Sequence, residues 1–204
     1  METATTEAGE PAAPKAGASG APDRPFMGDV DPTELLDLLV DEAAASLSLL
    51  SEFQLDDASE SDVIECEVPV WSDIQIVFRI GFSIKGFQRM GLMAIDLPNA
   101  LVLSGALLMM PTDAVQENRQ KDAPDEGDKE AIMEAGNLIA GAFDGALTRR
   151  INGSVEIKFF GCQGVAAGDT PWISGYEGQA LAVRRHDASF KGFDPFTVTL
   201  IIPV

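Results

Sequence analysis

The chain of 204 residues carries 33 acidic and 14 basic side chains, a net charge of −19 with histidine neutral. Affinity for phosphate backbones depends on lysine and arginine, so this charge argues against a nucleic-acid binder, and it disfavours anionic membrane surfaces for the same reason. Hydrophobic residues make up 46% of the chain, which is enough to bury a core without disulfide bonds or structural metal ions.

The sequence also predicts a cytoplasmic location. The first ten residues contain three glutamates and no apolar segment, so they resemble neither an export signal nor an organelle transit peptide. The longest apolar run, 100–110, includes Ser104 and Gly105 and falls well short of the ~20 residues that span a bilayer. Cys66 and Cys162 lie far apart in the sequence and are predicted to be buried small hydrophobic side chains rather than a disulfide.

The N-terminal segment differs in composition from the rest of the chain. Residues 1–30 are rich in alanine, proline and glycine, with almost no large apolar side chain before Phe26. Such a segment cannot bury enough surface to offset its ordering entropy. We therefore predict a disordered tail over 1–30, followed by one domain over 31–204.

The first half of this domain is predicted to begin with a helix over 32–53, which Asp31 can cap and Pro32 can start. The apolar period then changes to two, which predicts antiparallel strands joined by short turns over 63–70, 74–84 and 87–95. A second helix is predicted over 100–110, followed by a polar loop over 112–128 that can include a helical turn.

The second half begins with a helix over 129–150, which ends at the stop signal Asn152-Gly153. Strands are predicted after it over 155–160, 179–185 and 196–202. The order of helix, strands, two helices and strands predicts an α+β fold in which long helices cover one face of an antiparallel sheet.

The helix over 129–150 carries a polar stripe. Two carboxylates, a carboxamide and a glycine fall within about 60° of one another around the helix axis: Glu130, Glu134, Asn137 and Gly141. Large apolar side chains lie on the opposite side, which is predicted to face the core: Ile132, Ile139 and Phe143.

Two features of this helix indicate a binding face. Glu130 and Glu134 repel each other at their spacing, with no basic residue on the stripe, which suits a face that receives a cationic partner. The glycines at 136, 141 and 145 weaken the helix, and close approach by another backbone or by a partner would compensate for this cost. The alternative is a solvated helix face with no function.

The residues of this stripe resemble the motif of the CheC/CheX/FliY family of chemotaxis phosphatases. That motif is an Asp or Ser, three residues, a Glu, two residues and an Asn, and Glu130, Glu134 and Asn137 stand at this spacing. The string Glu-Ala-Gly-Asn-Leu-Ile-Ala-Gly over 134–141 looks most like CheX, as does the short helix over 100–110 before it. The resemblance spans about Asp31 to the C terminus and implies the α+β fold of that family.

The resemblance implies a phosphatase that hydrolyses the aspartyl phosphate of a CheY-like response regulator in chemotaxis or related two-component signalling. Asn137 would orient the attacking water, Glu134 would pair with the active-site lysine of the regulator, and Glu130 and Gly141 would belong to the docking surface. Mg²⁺ is expected on the regulator, and no metal or other cofactor is expected on this chain. The open alternative is a non-catalytic scaffold or binding module of the same fold in a flagellar, pilus or signalling complex.

Two further features refine the resemblance. The first helix has alanine where a second motif asparagine would stand, and a single motif is typical of CheX, which implies a homodimer. The family often has a proline 23 positions after the Asn, where this chain has Phe160. Pro171 is the candidate equivalent, displaced by an insertion over 160–168.

The remaining candidate residues are predicted to have no catalytic role. His186 is predicted to be a surface histidine. The acidic residues over 122–128 lack the spacing of a calcium loop and are predicted to be solvated. Trp71 and Trp172 are predicted to be core or interface residues rather than a stacking platform for nucleic acid.

Overall fold

The computed structural model describes residues 31–51, 53–55, 60–65, 70–171 and 180–203. The predicted tail over 1–30, Cys66 and Trp172 lie outside these residues. The described chain contains four helices and seven strands: α1 (Pro32–Ser51), β1 (Phe53–Leu55), β2 (Glu60–Glu65), β3 (Gln75–Ile84), β4 (Phe87–Asp96), α2 (Leu97–Leu107), α3 (Thr112–Asn118), α4 (Glu126–Arg150), β5 (Val155–Val165), β6 (Leu181–Phe190) and β7 (Phe196–Pro203).

The strands form one antiparallel sheet in the order β1-β6-β7-β4-β3-β5. β2 also pairs with β6, so β1 and β2 follow one another along the same edge of the sheet. β3 and β4 form a hairpin through a two-residue turn at Lys85 and Gly86, whose φ angles are 51° and 86°. Positive φ at both central residues matches the right-handed twist of the strands that such a turn joins.

The main core lies between the sheet and the three longer helices. Large, fully buried side chains come from both layers: Leu36, Leu39, Phe78, Phe82, Leu101 and Phe143. Because successive strand residues point to opposite faces, Val77 lies on the other face, in a smaller cluster with Leu92 and Ile201. The predicted α+β architecture, with long helices on one face of an antiparallel sheet, is confirmed.

The predicted helix boundaries differ from the observed ones where local capping decides them. α2 begins at Leu97 rather than at residue 100, because the Asp96 carboxylate accepts a hydrogen bond from the Asn99 amide at 2.8 Å. The predicted polar loop over 112–128 contains α3 and the first turn of α4. α1 ends at Ser51, and Phe53, predicted to be helical, pairs with Phe190 of β6.

Two predicted strands are longer in the structure. β5 continues past residue 160 to Val165, so much of the segment predicted to be an insertion is strand. Its register against β3 shifts between Phe78 and Ile80, beside Gly161, whose φ of 98° favours glycine. β6 continues to Phe190 and therefore includes His186.

His186 is buried, so its prediction as a surface residue was wrong. It lies below α1, beside an ion pair in which Arg184 donates to both Asp37 oxygens at 2.6 and 3.1 Å. The Nε2 atom of His186 is 3.5 Å from Oδ1 of Asp37. Burial and the neighbouring Arg184 charge lower the pKa of His186, against the opposing effect of Asp37, Asp41 and Asp187. The histidine is therefore neutral in the fold near neutral pH.

Acidification is expected to destabilise the protein through His186. The unfolded chain takes up this proton near the ordinary pKa of 6.5, whereas the folded state resists it. The contribution of His186 to stability is thus complete above pH 6.5 and is lost as the pH falls through the lowered folded pKa. We expect the free energy of unfolding to fall more between pH 7.5 and 5.5 in the wild type than in His186→Gln, measured by denaturant titration. Equal losses in the two proteins would contradict this account.

Candidate functional site

The predicted stripe lies on the exposed face of α4. Its four members are exposed, and the three apolar residues on the other side are buried in the main core. The stripe members are Glu130, Glu134, Asn137 and Gly141, and the core members are Ile132, Ile139 and Phe143. The structure thus places the four predicted site residues together on one surface.

The negative charge of the stripe is not neutralised within the described ranges. The basic side chains of α4 form ion pairs elsewhere: Lys129 with Glu126 at 2.6 Å, Arg149 with Glu42, and Arg150 with Glu34 at 3.3 Å. Among the described residues, neither Glu130 nor Glu134 has an ion-pair partner. A positively charged group on a partner would therefore complement this surface.

Asn137 lies one turn after Glu134 on the same face. Its Nδ2 atom donates to Oε2 of Glu134 over 3.4 Å, which is long for a hydrogen bond. The carboxamide is thus oriented by its neighbour but held only weakly. A carboxamide can both donate and accept without carrying a charge, so Asn137 can contact a water and an anionic oxygen at the same time.

The two glycines of this region serve different purposes. The ring of Phe159 from β5 occupies the space that a side chain at Gly136 would need, so Gly136 permits close packing of α4 on the sheet. At Gly141 nothing lies within 4 Å of the position of a Cβ atom. The close packing that was expected to offset the cost of glycine in this helix is therefore found at Gly136, whereas the surface at Gly141 is open to a partner.

The N-terminal turn of α4 is held by a buried carboxylate that the sequence analysis predicted to be solvated. Asp128 is 2% exposed and accepts hydrogen bonds from Ser104 Oγ at 2.6 Å and Asn118 Nδ2 at 2.7 Å. Lys121 Nζ lies 3.0 Å from its other oxygen. Burial alone would raise the pKa of Asp128, but these hydrogen bonds outweigh it and lower the pKa to about 2. Asp128 is thus ionised and structural.

The far end of α4 is held by β5 and α1. The Asp144 carboxylate accepts a hydrogen bond from the Ile157 amide at 2.9 Å. Arg149 pairs with Glu42 of α1, so this ion pair links the two helices. That the first helix carries no second motif stays a prediction.

Met133, which the sequence pattern did not indicate as a site residue, flanks the stripe and is 42% exposed. Its Cε lies 3.9 Å from the position that a Cβ at Gly161 would take, so it reaches the edge strand β5. Phe160 stands at the position of the family proline and directly precedes Gly161, so it is next in sequence to the part of β5 that Met133 of α4 reaches. Pro171 is buried in the loop after β5, and its equivalence to the family proline stays a prediction.

Other candidate sites have little chemical support. Burial raises the pKa of the Cys162 thiol to about 12, so it is protonated and a poor nucleophile. In the described part of the chain, no group of three or more His, Cys, Asp or Glu side chains is placed to hold a metal ion. None of the described helices is long and apolar enough to cross a membrane.

Sequence comparisons give no assignment: no family model matches the chain, and no significant match exists among curated proteins. Solved structures do match. FliY of Thermotoga maritima has a TM-score of 0.63 at 13% identity, covering 86% of this chain and 92% of its own. CheX of Vibrio vulnificus has a TM-score of 0.55 at 10% identity, covering 82% and 97%. The FliG-FliM complex of H. pylori contains a match with a TM-score of 0.56 at 11% identity, covering 84% and 90%.

These matches cover most of both chains in each pair, but their identities are low, so they establish the fold and not the activity. The order of elements agrees with the resemblance read from the motif on α4. The chain therefore has the α+β fold of the CheC/CheX/FliY chemotaxis proteins, and its fold is also similar to that of the FliM middle domain from H. pylori.

Proposed function

We propose that this protein is a phosphatase of a phosphorylated CheY-like response regulator in chemotaxis or related two-component signalling. The observation that carries the proposal is the exposed pair Glu134 and Asn137 on α4, at the family spacing and in the family fold. The proposed reaction has two steps, docking of the regulator and hydrolysis of its phosphate, and the geometry of α4 supports both.

Docking relies on charge. Glu134 is exposed and has no ion-pair partner within the described residues, so it is available for the active-site lysine of the regulator. The net charge of −19 favours approach of a positively charged docking surface. Glu130 lies one turn earlier on the same face and adds to this attraction, while Gly141 leaves room for the regulator backbone. Binding should weaken as salt is added.

Hydrolysis relies on positioning. Asn137 inserts its carboxamide beside the aspartyl phosphate, accepts a hydrogen bond from one water and directs it in line with the bond between phosphorus and the aspartyl oxygen. The water oxygen bonds to phosphorus as the bond to the aspartyl oxygen breaks, which frees the aspartate carboxylate and releases inorganic phosphate carrying the water hydrogens. Such a reaction needs orientation and charge stabilisation rather than a covalent intermediate. The Mg²⁺ that neutralises the phosphoryl charge belongs to the regulator.

The experiment follows loss of acyl phosphate from CheY-like receiver domains phosphorylated with a small-molecule donor and Mg²⁺. Wild type is expected to accelerate this loss. Glu134→Ala should need about tenfold or more regulator for the same rate, because one partner of a charge pair is removed. Glu117→Ala removes an exposed glutamate of α3, which is not a member of the stripe, and should behave as wild type. Equal effects of the two substitutions would contradict docking through Glu134.

The resemblance to CheX also leads us to propose a homodimer that acts in the cytoplasm. Sedimentation equilibrium of the full chain tests the dimer directly, since a monomer at all accessible concentrations would contradict it.

A second candidate function is a scaffold in a flagellar, pilus or signalling assembly. It is favoured by the match to the crystal structure of the FliG-FliM complex from H. pylori, in which a chain of similar fold is part of an assembly. The two functions differ at Asn137: a scaffold would bind a regulator without shortening the lifetime of its phosphate.

A further inference from the structure

The N-terminal turn of α4 is joined to two other helices by one side chain. Asp128 Oδ1 accepts from Ser104 of α2 at 2.6 Å and from Asn118 of α3 at 2.7 Å. Its Oδ2 accepts from Lys121 at 3.0 Å and from the Asp125 amide at 3.2 Å. One carboxylate thus connects α2, α3 and the segment after α3 to the start of the helix that carries the site.

Stability alone does not explain a buried charge in this place. Removing a carboxylate from water costs free energy, and apolar residues of similar volume often replace buried ionic groups with no loss of stability. The Asp128 carboxylate is nevertheless fully surrounded by donors, so its geometry is tightly defined. A fully satisfied polar cluster fixes one arrangement of the elements that it joins.

The position of this cluster along α4 matters for the stripe. Between Asp128 and Gly136, Ile132 packs in the main core, and the next anchors towards the C terminus are the Phe159 contact at Gly136 and the Asp144 bond to Ile157. Glu130 and Glu134 lie between Asp128 and Gly136, so their backbone direction is set by the anchors on either side of them. A shift of the N-terminal anchor would move both glutamates while leaving the distal part of α4 in place.

We propose that Asp128 is a positioning residue, which holds the first turns of α4 so that Glu130 and Glu134 meet the regulator in the productive orientation. This inference rests on the proposed function. Asp128 is buried and does not touch the partner, so its effect on binding must pass through the exposed glutamates.

The test is a double-mutant cycle on binding of a phosphorylated CheY-like receiver domain. Asp128→Asn keeps the shape of the side chain but removes its charge and one acceptor. It is expected to weaken binding about tenfold in the wild type and less than about twofold in Glu134→Ala. The reason is that the effects of two substitutions are not additive when one residue acts through the other. Equal weakening in both backgrounds would show a general structural or electrostatic effect and overturn the proposal.

Two further variants keep the test decisive. Ser104→Ala removes a single donor and leaves Asp128 in place, and it undergoes the same cycle if Asp128→Asn does not fold. Ile139→Val reduces packing in the distal part of α4 and controls for lost helix stability. It should leave binding unchanged, and a tenfold loss of binding in this control would also overturn the proposal.

Amide hydrogen exchange separates failure of the positioning role from failure of the proposed function. In Asp128→Asn, amides over 129–134 are expected to exchange faster, while those over 139–147 stay as in the wild type. This readout needs no regulator, so it holds even if the wild type neither binds nor dephosphorylates one. Unchanged exchange over 129–134 would contradict the anchoring role of Asp128 whatever the activity.

Discussion

Replacing Asn137 with alanine is expected to lower the rate of dephosphorylation by about 10²- to 10³-fold, the usual effect of removing one positioned polar group from a reaction site. The side chain is exposed and makes a single long hydrogen bond to Glu134, so its loss should hardly affect folding. The measurement is loss of acyl phosphate at saturating regulator, which isolates the chemical step from docking.

Asn137→Asp provides the matched control for shape. It keeps the size of the side chain but replaces the donor by a second anionic oxygen, which would repel the phosphoryl group. We therefore expect it to be at least as damaging as alanine, with regulator binding retained in Asn137→Ala. Dephosphorylation at the wild-type rate by either variant would remove Asn137 from the mechanism.

Gly136→Val is expected to cause the largest loss of stability, about 1 to 3 kcal/mol, the usual cost of overpacking a core. The Phe159 ring occupies the place of the new side chain, and Phe159 in turn packs against Phe78 with ring centroids 6.4 Å apart. Relief would require the ring to leave its contacts on the sheet. Denaturant titration of the free energy of unfolding measures the effect.

Gly141→Val makes the same change on the same helix, where nothing lies within 4 Å of the added Cβ. We expect the free energy of unfolding to change by less than about 1 kcal/mol there. Valine has a slightly better helix propensity than glycine, and its side chain has room at this position. In a Phe159→Ala background, Gly136→Val should cost less than in the wild type. Similar losses at the two glycines would show that helix propensity, and not the Phe159 contact, sets the requirement for glycine.

The sequence predicted well those features that depend on local periodicity. The alternation of β3 and β4 placed that hairpin within a residue of its observed limits, since the turn at Lys85 and Gly86 marks its centre. The 3.6-residue period of α4 separated the stripe from the core face, because the buried side is defined by large apolar residues such as Ile139 and Phe143.

The sequence could not predict the features that depend on partners distant in the chain. Asp128 looks like one of several acids in a polar loop, and its burial depends on Ser104, 24 positions earlier. His186 follows two arginines, but β6 continues through it and Asp37 of α1 covers it from above. Phe53 is likewise in a strand because it pairs with Phe190. In each case tertiary contacts override the local composition.

The most direct test of the proposed activity is the lifetime of the acyl phosphate on a CheY-like receiver domain, with the full-length wild-type protein present at a small fraction of the receiver concentration. A phosphatase that orients water through Asn137 should shorten this lifetime in proportion to its own concentration and release several phosphates per molecule. Binding of the phosphorylated receiver with no change in that lifetime would contradict catalysis and favour a scaffold of the same fold.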